Sequence, residues 1–139
     1  MTYALDTNTI SFFLRGEGNV DYYFQKEIIE AGNLYVIPFI VKYEIRRWLI
    51  DKPTKAVINF AMHFELLFES VQNEAEISND IWDKAADIYV ALKQKGQLIG
   101  DADILIAAFC IEKNCTLVTR NTKHFVNIDD LSIVNWADS

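Results

Sequence analysis

The chain alternates between short apolar runs and longer segments whose apolar side chains recur every three or four residues. The short runs predict buried β-strands, and the longer segments predict amphipathic helices. The predicted strands are residues 3–6, 34–37, 116–119 and 131–134, with 68–71 as a candidate fifth. The predicted helices are residues 7–15, 20–31, a segment from Pro38, 53–68, 78–96 and 100–113. Strands that alternate with helices are typical of an α/β fold, in which helices cover both faces of a parallel sheet.

Residues at the helix boundaries support this assignment. Thr7, Asn8 and Thr9 are capping types at the start of the first helix. Pro38 suits the first turn of the third helix, and Ser78 is placed to cap the fifth. We expect Asp6 and Thr119 to lie at the carboxyl ends of strands, where parallel sheets bind their ligands.

Two helices differ in how their apolar residues are distributed. The helix over residues 78–96 has one apolar stripe, which consists of Ile81, Trp82, Ala85, Ile88, Tyr89 and Leu92. The helix over residues 100–113 is apolar on every side in its middle, so we expect other elements to cover it.

Composition narrows the class of protein. A chain of 139 residues, 51% of them hydrophobic, fits one globular domain and excludes a disordered or fibrous protein. Its start has no basic region before a long apolar stretch, so we expect neither a signal peptide nor a membrane span. Cys110 and Cys115 suit neither a disulfide framework nor a zinc site, and a reducing cytoplasmic location is expected.

The formal net charge of -7 disfavours general adhesion to nucleic acid, because binding phosphates requires Lys and Arg. A cluster of catalytic acids contributes to that count, and a bound metal ion would invert the local sign. The charge therefore leaves nucleic-acid chemistry open.

Three carboxylates stand out because they occupy positions where apolar atoms are expected. Asp6 ends the first strand, Glu44 lies within the apolar stripe of the third helix, and Asp103 opens the nearly all-apolar sixth helix. A buried carboxylate without a cationic partner costs several kcal/mol or more. If the three converge, a divalent metal ion explains them, and oxygen-only ligation suits Mg²⁺ or Mn²⁺.

Each acid also has an ordinary structural explanation. Asp6 could cap the following helix, and Glu44 could form a salt bridge with Arg47 or Arg15 at the edge of its stripe. Asp103 could favour its helix through the helix dipole, and Asp101 could be the N-cap. No single acid decides between the two explanations.

Five segments, in order, carry a family resemblance. They are Leu5-Asp6-Thr7-Asn8, the helix with Glu44, residues 99–108 (IGDADILIAA), residues 117–125 (LVTRNTKHF) and residues 131–136 (LSIVNW). The chain resembles PIN-domain ribonucleases, specifically VapC toxins of type II toxin–antitoxin pairs. The resemblance covers essentially the whole chain and implies a single PIN domain over residues 1–139. It also implies a three-layer fold, with a central, mostly parallel sheet of four to five short strands flanked by helices.

The resemblance implies roles for particular residues. Asp6, Glu44 and Asp103 match the family's three acids that bind Mg²⁺, for which Mn²⁺ is a substitute. Asp101 is an auxiliary ligand or a simple cap, and Asn121 stands where many PIN domains have a fourth acid. Thr7 and Thr119 are candidates to orient a carboxylate or a water, or are simply a cap and a strand residue.

The implied reaction is in-line hydrolysis of an RNA phosphodiester by an activated water, which leaves 5′-phosphate and 3′-hydroxyl ends. Family members often cut tRNA or ribosomal RNA, but no motif here names the target. The candidate phosphate contacts are Arg15, Arg120 and Lys123, and also Lys42, Arg46 and Arg47. His124 is a candidate RNA contact, or a surface or loop-packing residue, and His63 has no expected catalytic role.

The resemblance also implies partners. We expect a homodimer, or a dimer within a toxin–antitoxin complex, that a cognate VapB-type antitoxin silences. Basic side chains in an antitoxin tail would compete with the metal for the acids. Apolar residues on the early helices are candidate contacts, or ordinary core: Phe12, Phe13, Tyr22, Tyr23 and Phe24. Two alternatives remain, a PIN nuclease of RNA processing without an antitoxin and a catalytically silent nucleic-acid-binding module.

Overall fold

Four parallel strands form the centre of the fold. The computed structural model describes residues 1–138, and Asn73 by its backbone only. The strands are β1 (Thr2–Leu5), β2 (Leu34–Val36), β3 (Thr116–Val118) and β4 (Ser132–Val134). They form a sheet in the order β2-β1-β3-β4, and every neighbouring pair is parallel. The predicted α/β fold with a parallel sheet is confirmed.

Helices connect the strands and supply most of the core. They are α1 (Thr7–Arg15), α2 (Val20–Phe24), α3 (Phe39–Asp51), α4 (Lys55–Glu69), α5 (Asn79–Gln94), α6 (Asp101–Glu112) and α7 (Thr122–Phe125). The helix predicted over residues 20–31 is present, but its second half, Gln25–Glu30, has π-helical hydrogen bonding. The four-residue helix α7 was not predicted, because so short a segment shows no periodicity.

The candidate strand at residues 68–71 is wrong. Phe68 is the second-last residue of α4, and a short 3₁₀ turn, Gln72–Glu74, follows the helix. Phe68 is 1% exposed and stacks on Phe64, with ring centroids 5.6 Å apart. Residues four apart share a helix face, so the apolar character of Phe68 belongs to the stripe of α4.

The stripe predicted for α5 is only partly buried. Ile81, Ala85, Ile88 and Leu92 are buried, whereas Trp82 and Tyr89 are 51% and 40% exposed. The buried residues recur at intervals of three or four, which leaves the neighbouring aromatic residues on the edge of the stripe. The face of α5 that enters the core is therefore narrower than predicted.

The helix α6 is central, as its sequence predicted. Ile104 and every residue from 106 to 110 are buried, and the helix packs mainly against α5. Its N-cap is Gly100, so Asp101 is the first helical residue and not the cap. Cys110 and Cys115 are both free and buried. Across residues 1–138, no helix combines the length and the apolar character needed to cross a membrane.

Candidate active site

The carboxyl ends of β1 and β3 place Asp6 and Thr119 side by side. Each residue follows directly after its strand, and the two strands are neighbours in the middle of the sheet. The Asp6 N–H donates to the Val118 carbonyl at 3.4 Å, and the Thr119 N–H donates to the Val134 carbonyl at 3.0 Å. The strand order reverses direction between β1 and β3, and such switch points are where open α/β sheets bind ligands.

Asp6 is a buried carboxylate that also caps α1. Its side chain is the N-cap, and Oδ1 accepts the Thr9 N–H at 2.8 Å. The cap is therefore Asp6 itself and not the threonines that follow it. Asp6 is 6% exposed, and burial raises the pKa of its carboxyl group above the ordinary value, against the opposing hydrogen bonds from Thr119 and Thr9. The structural and the functional explanations of Asp6 are thus compatible.

Thr119 connects Asp6 to the segment that follows β3. It is fully buried, its side chain hydrogen-bonds Asp6, and its Oγ1 accepts the Asn121 N–H at 3.0 Å. A hydroxyl that accepts one hydrogen bond still has its proton to donate. Thr119 therefore orients the Asp6 carboxylate and fixes the backbone of Asn121, whose side chain is exposed.

Glu44 approaches from α3 and is held by α1. Its Oε1 accepts the Thr7 hydroxyl at 2.8 Å, and the residue is half-buried. Burial is the main cause that raises the pKa of Glu44; the Thr7 hydrogen bond and Arg47 oppose it, and the charges of Asp103 and Asp6 add to it. This hydrogen bond is the contact through which Thr7 would orient the Glu44 carboxylate.

Asp103 enters from the first turn of α6 and meets a histidine. His124 Nδ1 lies 3.1 Å from Asp103 Oδ2, and the Asp103 side chain is 29% exposed. From the sequence, His124 was expected to be an RNA contact or a surface or loop-packing residue, and its pairing with Asp103 was not predicted. The two residues are 21 positions apart on different helices, so no local spacing could have indicated their contact.

The three acids form one electrostatic cluster. The charge of Asp103 contributes to raising the pKa of both Asp6 and Glu44, and the charge of Asp6 contributes to that of Glu44. Like charges raise the pKa of a carboxyl group only when they lie close together. Asp101 is the exposed first residue of α6, whereas Asp6 is buried and Glu44 and Asp103 are partly buried.

The donor chemistry of this cluster fits a hard divalent cation. Its ligand atoms are carboxylate oxygens, which Mg²⁺ and Mn²⁺ prefer. Among residues 1–138, however, no three His, Cys, Asp or Glu side chains already stand together as a set of ligands. Each acid is instead turned toward a protein donor: Asp6 toward Thr9 and Thr119, Glu44 toward Thr7, and Asp103 toward His124.

The three leading candidates for phosphate contact have different surroundings. Arg120 forms an ion pair with Asp138 at 3.2 Å and lies over the Phe12 ring at 5.3 Å. Arg15 pairs with Glu17 at 3.5 Å, and Lys123 is exposed on α7. Arg120 directly follows Thr119, so its backbone belongs to the rim of the acid cluster.

The other cationic candidates lie on α3. Arg46 pairs with Glu65 of α4 at 2.7 Å, Arg47 lies over the Tyr43 ring at 5.2 Å, and Lys42 lies over the Phe68 ring at 4.9 Å. Contacts of this kind are common on solvated helix faces. Of the three, only Arg47 acts electrostatically on a cluster acid, because it favours the ionised form of Glu44.

The raised pKa values predict an unusual pH dependence of stability. The pKa of Asp6 in the folded protein lies above its ordinary value of 3.8. Between those two values the folded state binds more protons than the unfolded state. In protein treated with EDTA, the contribution of Asp6 should therefore raise the free energy of unfolding as the pH falls from 7 through the folded pKa, and the gain should end near pH 4.

Urea denaturation from pH 7 to pH 4 measures this contribution as the difference between the wild type and Asp6→Asn. Asp138→Asn is the matched control. The pKa of the exposed Asp138 is lowered by Asn135 and Arg120, so its contribution to the free energy of unfolding should fall, and not rise, as the pH is lowered. A difference between wild type and Asp6→Asn that does not vary with pH would contradict the prediction.

The sequence and the fold both match known proteins. Residues 3–131 match the PIN domain family. Ribonuclease VapC2 of Rickettsia felis is 32% identical over 136 residues, which cover 98% of this chain and 98% of the relative.

Two solved structures share the fold along nearly the whole chain. The structure of VapBC2 from Rickettsia felis bound to a DNA fragment from its promoter has a TM-score of 0.79 at 29% identity, covering 98% of this chain and 99% of that one. VapBC-1 from nontypeable Haemophilus influenzae has a TM-score of 0.80 at 27% identity, covering 98% of each.

The chain therefore belongs to the PIN-domain family. Within that family its full-length likeness is to the VapC proteins. The family resemblance and the three-layer fold expected from the sequence are both confirmed.

Proposed function

We propose that this protein is a Mg²⁺-dependent endoribonuclease toxin that hydrolyses RNA phosphodiester bonds and is silenced by a VapB-type antitoxin. The observation that carries the proposal is the coupled cluster of Asp6, Glu44 and Asp103 at the switch point of the sheet. A relative named as a ribonuclease matches the chain along its whole length, which supports the same activity.

The residues that would hold the cation are Asp6, Glu44 and Asp103, with Asp101 as an auxiliary ligand. When bound, Mg²⁺ lowers the pKa of a water ligand and neutralises charge on the phosphodiester. Asn121 brings an amide and no charge to the position of a fourth acid, which favours one tightly held cation over two. Mn²⁺ has similar ligand preferences and should substitute.

The protein's own part in the reaction is to orient the acids and the RNA. Thr7 and Thr119 hold the carboxylates of Glu44 and Asp6, so these need little reorganisation when the substrate binds. Arg120, already oriented by Asp138 and Phe12, contributes positive charge for a phosphate. Arg15 and Lys123 extend that charge along the rim.

A VapB-type antitoxin is the proposed partner. The proteins with the same fold include VapBC2 and VapBC-1, which are toxin–antitoxin complexes. Tyr22 is 59% exposed on α2, whereas Phe12, Phe13, Tyr23 and Phe24 are partly buried against the core. Tyr22 is therefore the one of these five aromatics best placed for a partner contact, in a homodimer or a dimer within the complex.

The decisive experiment is cleavage of total RNA by the purified chain. We expect fragments with 5′-phosphate and 3′-hydroxyl ends in Mg²⁺, no cleavage in EDTA, and recovery with added Mg²⁺ or Mn²⁺. Glu44→Gln should lose the activity, whereas the matched control Asp51→Asn, an exposed acid of the same helix, should retain it.

Other outcomes of that experiment have clear meanings. Cleavage that persists in EDTA, or 2′,3′-cyclic phosphate ends, would contradict the metal-dependent mechanism. Absence of cleavage in Mg²⁺ and in Mn²⁺, from a folded chain freed of antitoxin, would favour the silent binding module. Sequencing the cleaved ends identifies whether the target is tRNA, ribosomal RNA or another RNA.

A further inference from the structure

We propose that His124 is a positioning residue, which fixes the carboxylate of Asp103 for cation binding. The inference rests on the proposed function. Its starting point is the 3.1 Å contact between His124 Nδ1 and Asp103 Oδ2. A neutral imidazole with its proton on Nδ1 donates to the carboxylate without neutralising its charge.

The position of His124 is determined by the helix that carries it. Phe125, the next residue, is 1% exposed and anchors α7 in the core. At the other end, the Asn121 N–H donates to Thr119 Oγ1 at 3.0 Å, and the His124 N–H donates to the Asn121 carbonyl at 3.0 Å. The imidazole is therefore presented from a backbone that is fixed on both sides.

The same short segment holds two acids that belong to different elements. Thr119, at its start, hydrogen-bonds Asp6 after β1, and His124 contacts Asp103 on α6. A segment with one donor for each acid keeps the two carboxylates in a constant relative position. Donors that orient ligands in this way commonly change metal affinity 10–100-fold when removed.

Asp103 is the acid for which such a contact should matter most. The Asp6 residue is 6% exposed and is also held by the Thr9 N–H. The Asp103 side chain is 29% exposed, so without His124 it has more freedom to rotate toward solvent. Ordering a mobile side chain when the cation binds costs free energy, and the contact with His124 reduces that cost.

Three substitutions separate positioning from other roles. In Asn, the side-chain nitrogen stands about where Nδ1 stands in His, whereas in Gln it reaches about the place of Nε2. We therefore expect His124→Asn to keep most of the function and His124→Gln and His124→Leu to lose it. The matched control is His63→Leu, because His63 is exposed on α4 and its Nδ1 contacts the Asn59 carbonyl of its own helix.

The primary measurement is Mn²⁺ affinity of the full chain without RNA, by electron paramagnetic resonance of free Mn²⁺. His124→Leu and His124→Gln should bind Mn²⁺ about tenfold more weakly, while His124→Asn stays within threefold of wild type and His63→Leu is unchanged. Melting temperatures in EDTA should be equal for all variants, because the contact concerns the acid and not the core.

Several results would overturn the inference. One is unchanged or tighter Mn²⁺ binding in His124→Leu, and another is a raised KM for RNA with Mn²⁺ affinity intact, which would make His124 an RNA contact. If His124→Leu melts at a lower temperature than wild type in EDTA, the Asn and Gln variants decide between the two roles. Equal Mn²⁺ affinities of those two variants would show that His124 has only a structural role. The proposed function fails separately, if wild type binds Mn²⁺ no better than Asp6→Asn.

Discussion

Asp6→Asn is expected to slow RNA cleavage by about 10²–10³-fold while leaving the fold intact. The substitution removes one negative charge from the coupled cluster of three acids, and with it the strongest attraction for a divalent cation at the end of β1. Loss of one preorganised electrostatic group typically lowers kcat by about 10²–10³-fold. Cleavage of a labelled RNA in Mg²⁺, measured under single-turnover conditions, tests the expectation.

The fold should survive because asparagine is as good an N-cap as aspartate. Its Oδ1 can still accept the Thr9 N–H, which Asp6 Oδ1 accepts at 2.8 Å. The metal-free variant should even be more stable than wild type at pH 7, because a buried and repelled charge has been removed. Asp21→Asn, an exposed acid on α2, is the control. Activity within threefold of wild type in Asp6→Asn would remove Asp6 from the mechanism.

Phe109→Ala is expected to destabilise the protein by about 3–5 kcal/mol, the usual cost of deleting a buried aromatic ring. Phe109 is 0% exposed and lies on α6, six residues after Asp103. Total stabilities of single domains are about 5–15 kcal/mol, so this substitution should remove a large part of the total. Urea denaturation followed by circular dichroism measures the loss.

The matched control for this substitution is Leu66→Ala. Leu66 lies on α4 and is 70% exposed, so its truncation should change the free energy of unfolding by about 0.5 kcal/mol or less. A loss below about 1 kcal/mol in Phe109→Ala would contradict the central position of α6. The same helix carries Asp103 of the proposed site in its first turn.

The periodicity of apolar residues was sufficient to predict the strands and the long helices. β1, β3 and β4 are each within a residue or two of the predicted bounds, and the all-apolar middle of α6 correctly placed that helix in the core. These predictions succeed because a run of apolar side chains has few ways to be buried. Strand pairing and a two-sided cover of helices then follow from the alternation of elements.

The errors occur where the same pattern fits two structures. Residues 68–71 are apolar at their ends, which suits either a strand or the last turn of α4, and the stacking of Phe68 on Phe64 decided for the helix. Trp82 and Tyr89 are apolar neighbours of a buried stripe but face largely outward. Whether a residue is buried depends on the elements that pack against its helix, and the sequence of the helix alone does not specify them.

The sequence by itself was sufficient for the fold class, through the alternation of strands and helices, and for the family, through its ordered motifs. It also singled out Asp6, Glu44 and Asp103 as candidates, because carboxylates in apolar surroundings are conspicuous exceptions to a simple pattern. Only the tertiary structure decided which donor serves which acid: Thr7 for Glu44, Thr119 for Asp6, and His124 for Asp103. Hydrogen bonds between distant elements depend on how those elements pack and on where α7 begins. A chain's local pattern specifies its elements, but the directions in which their polar side chains meet are fixed only when the core has formed.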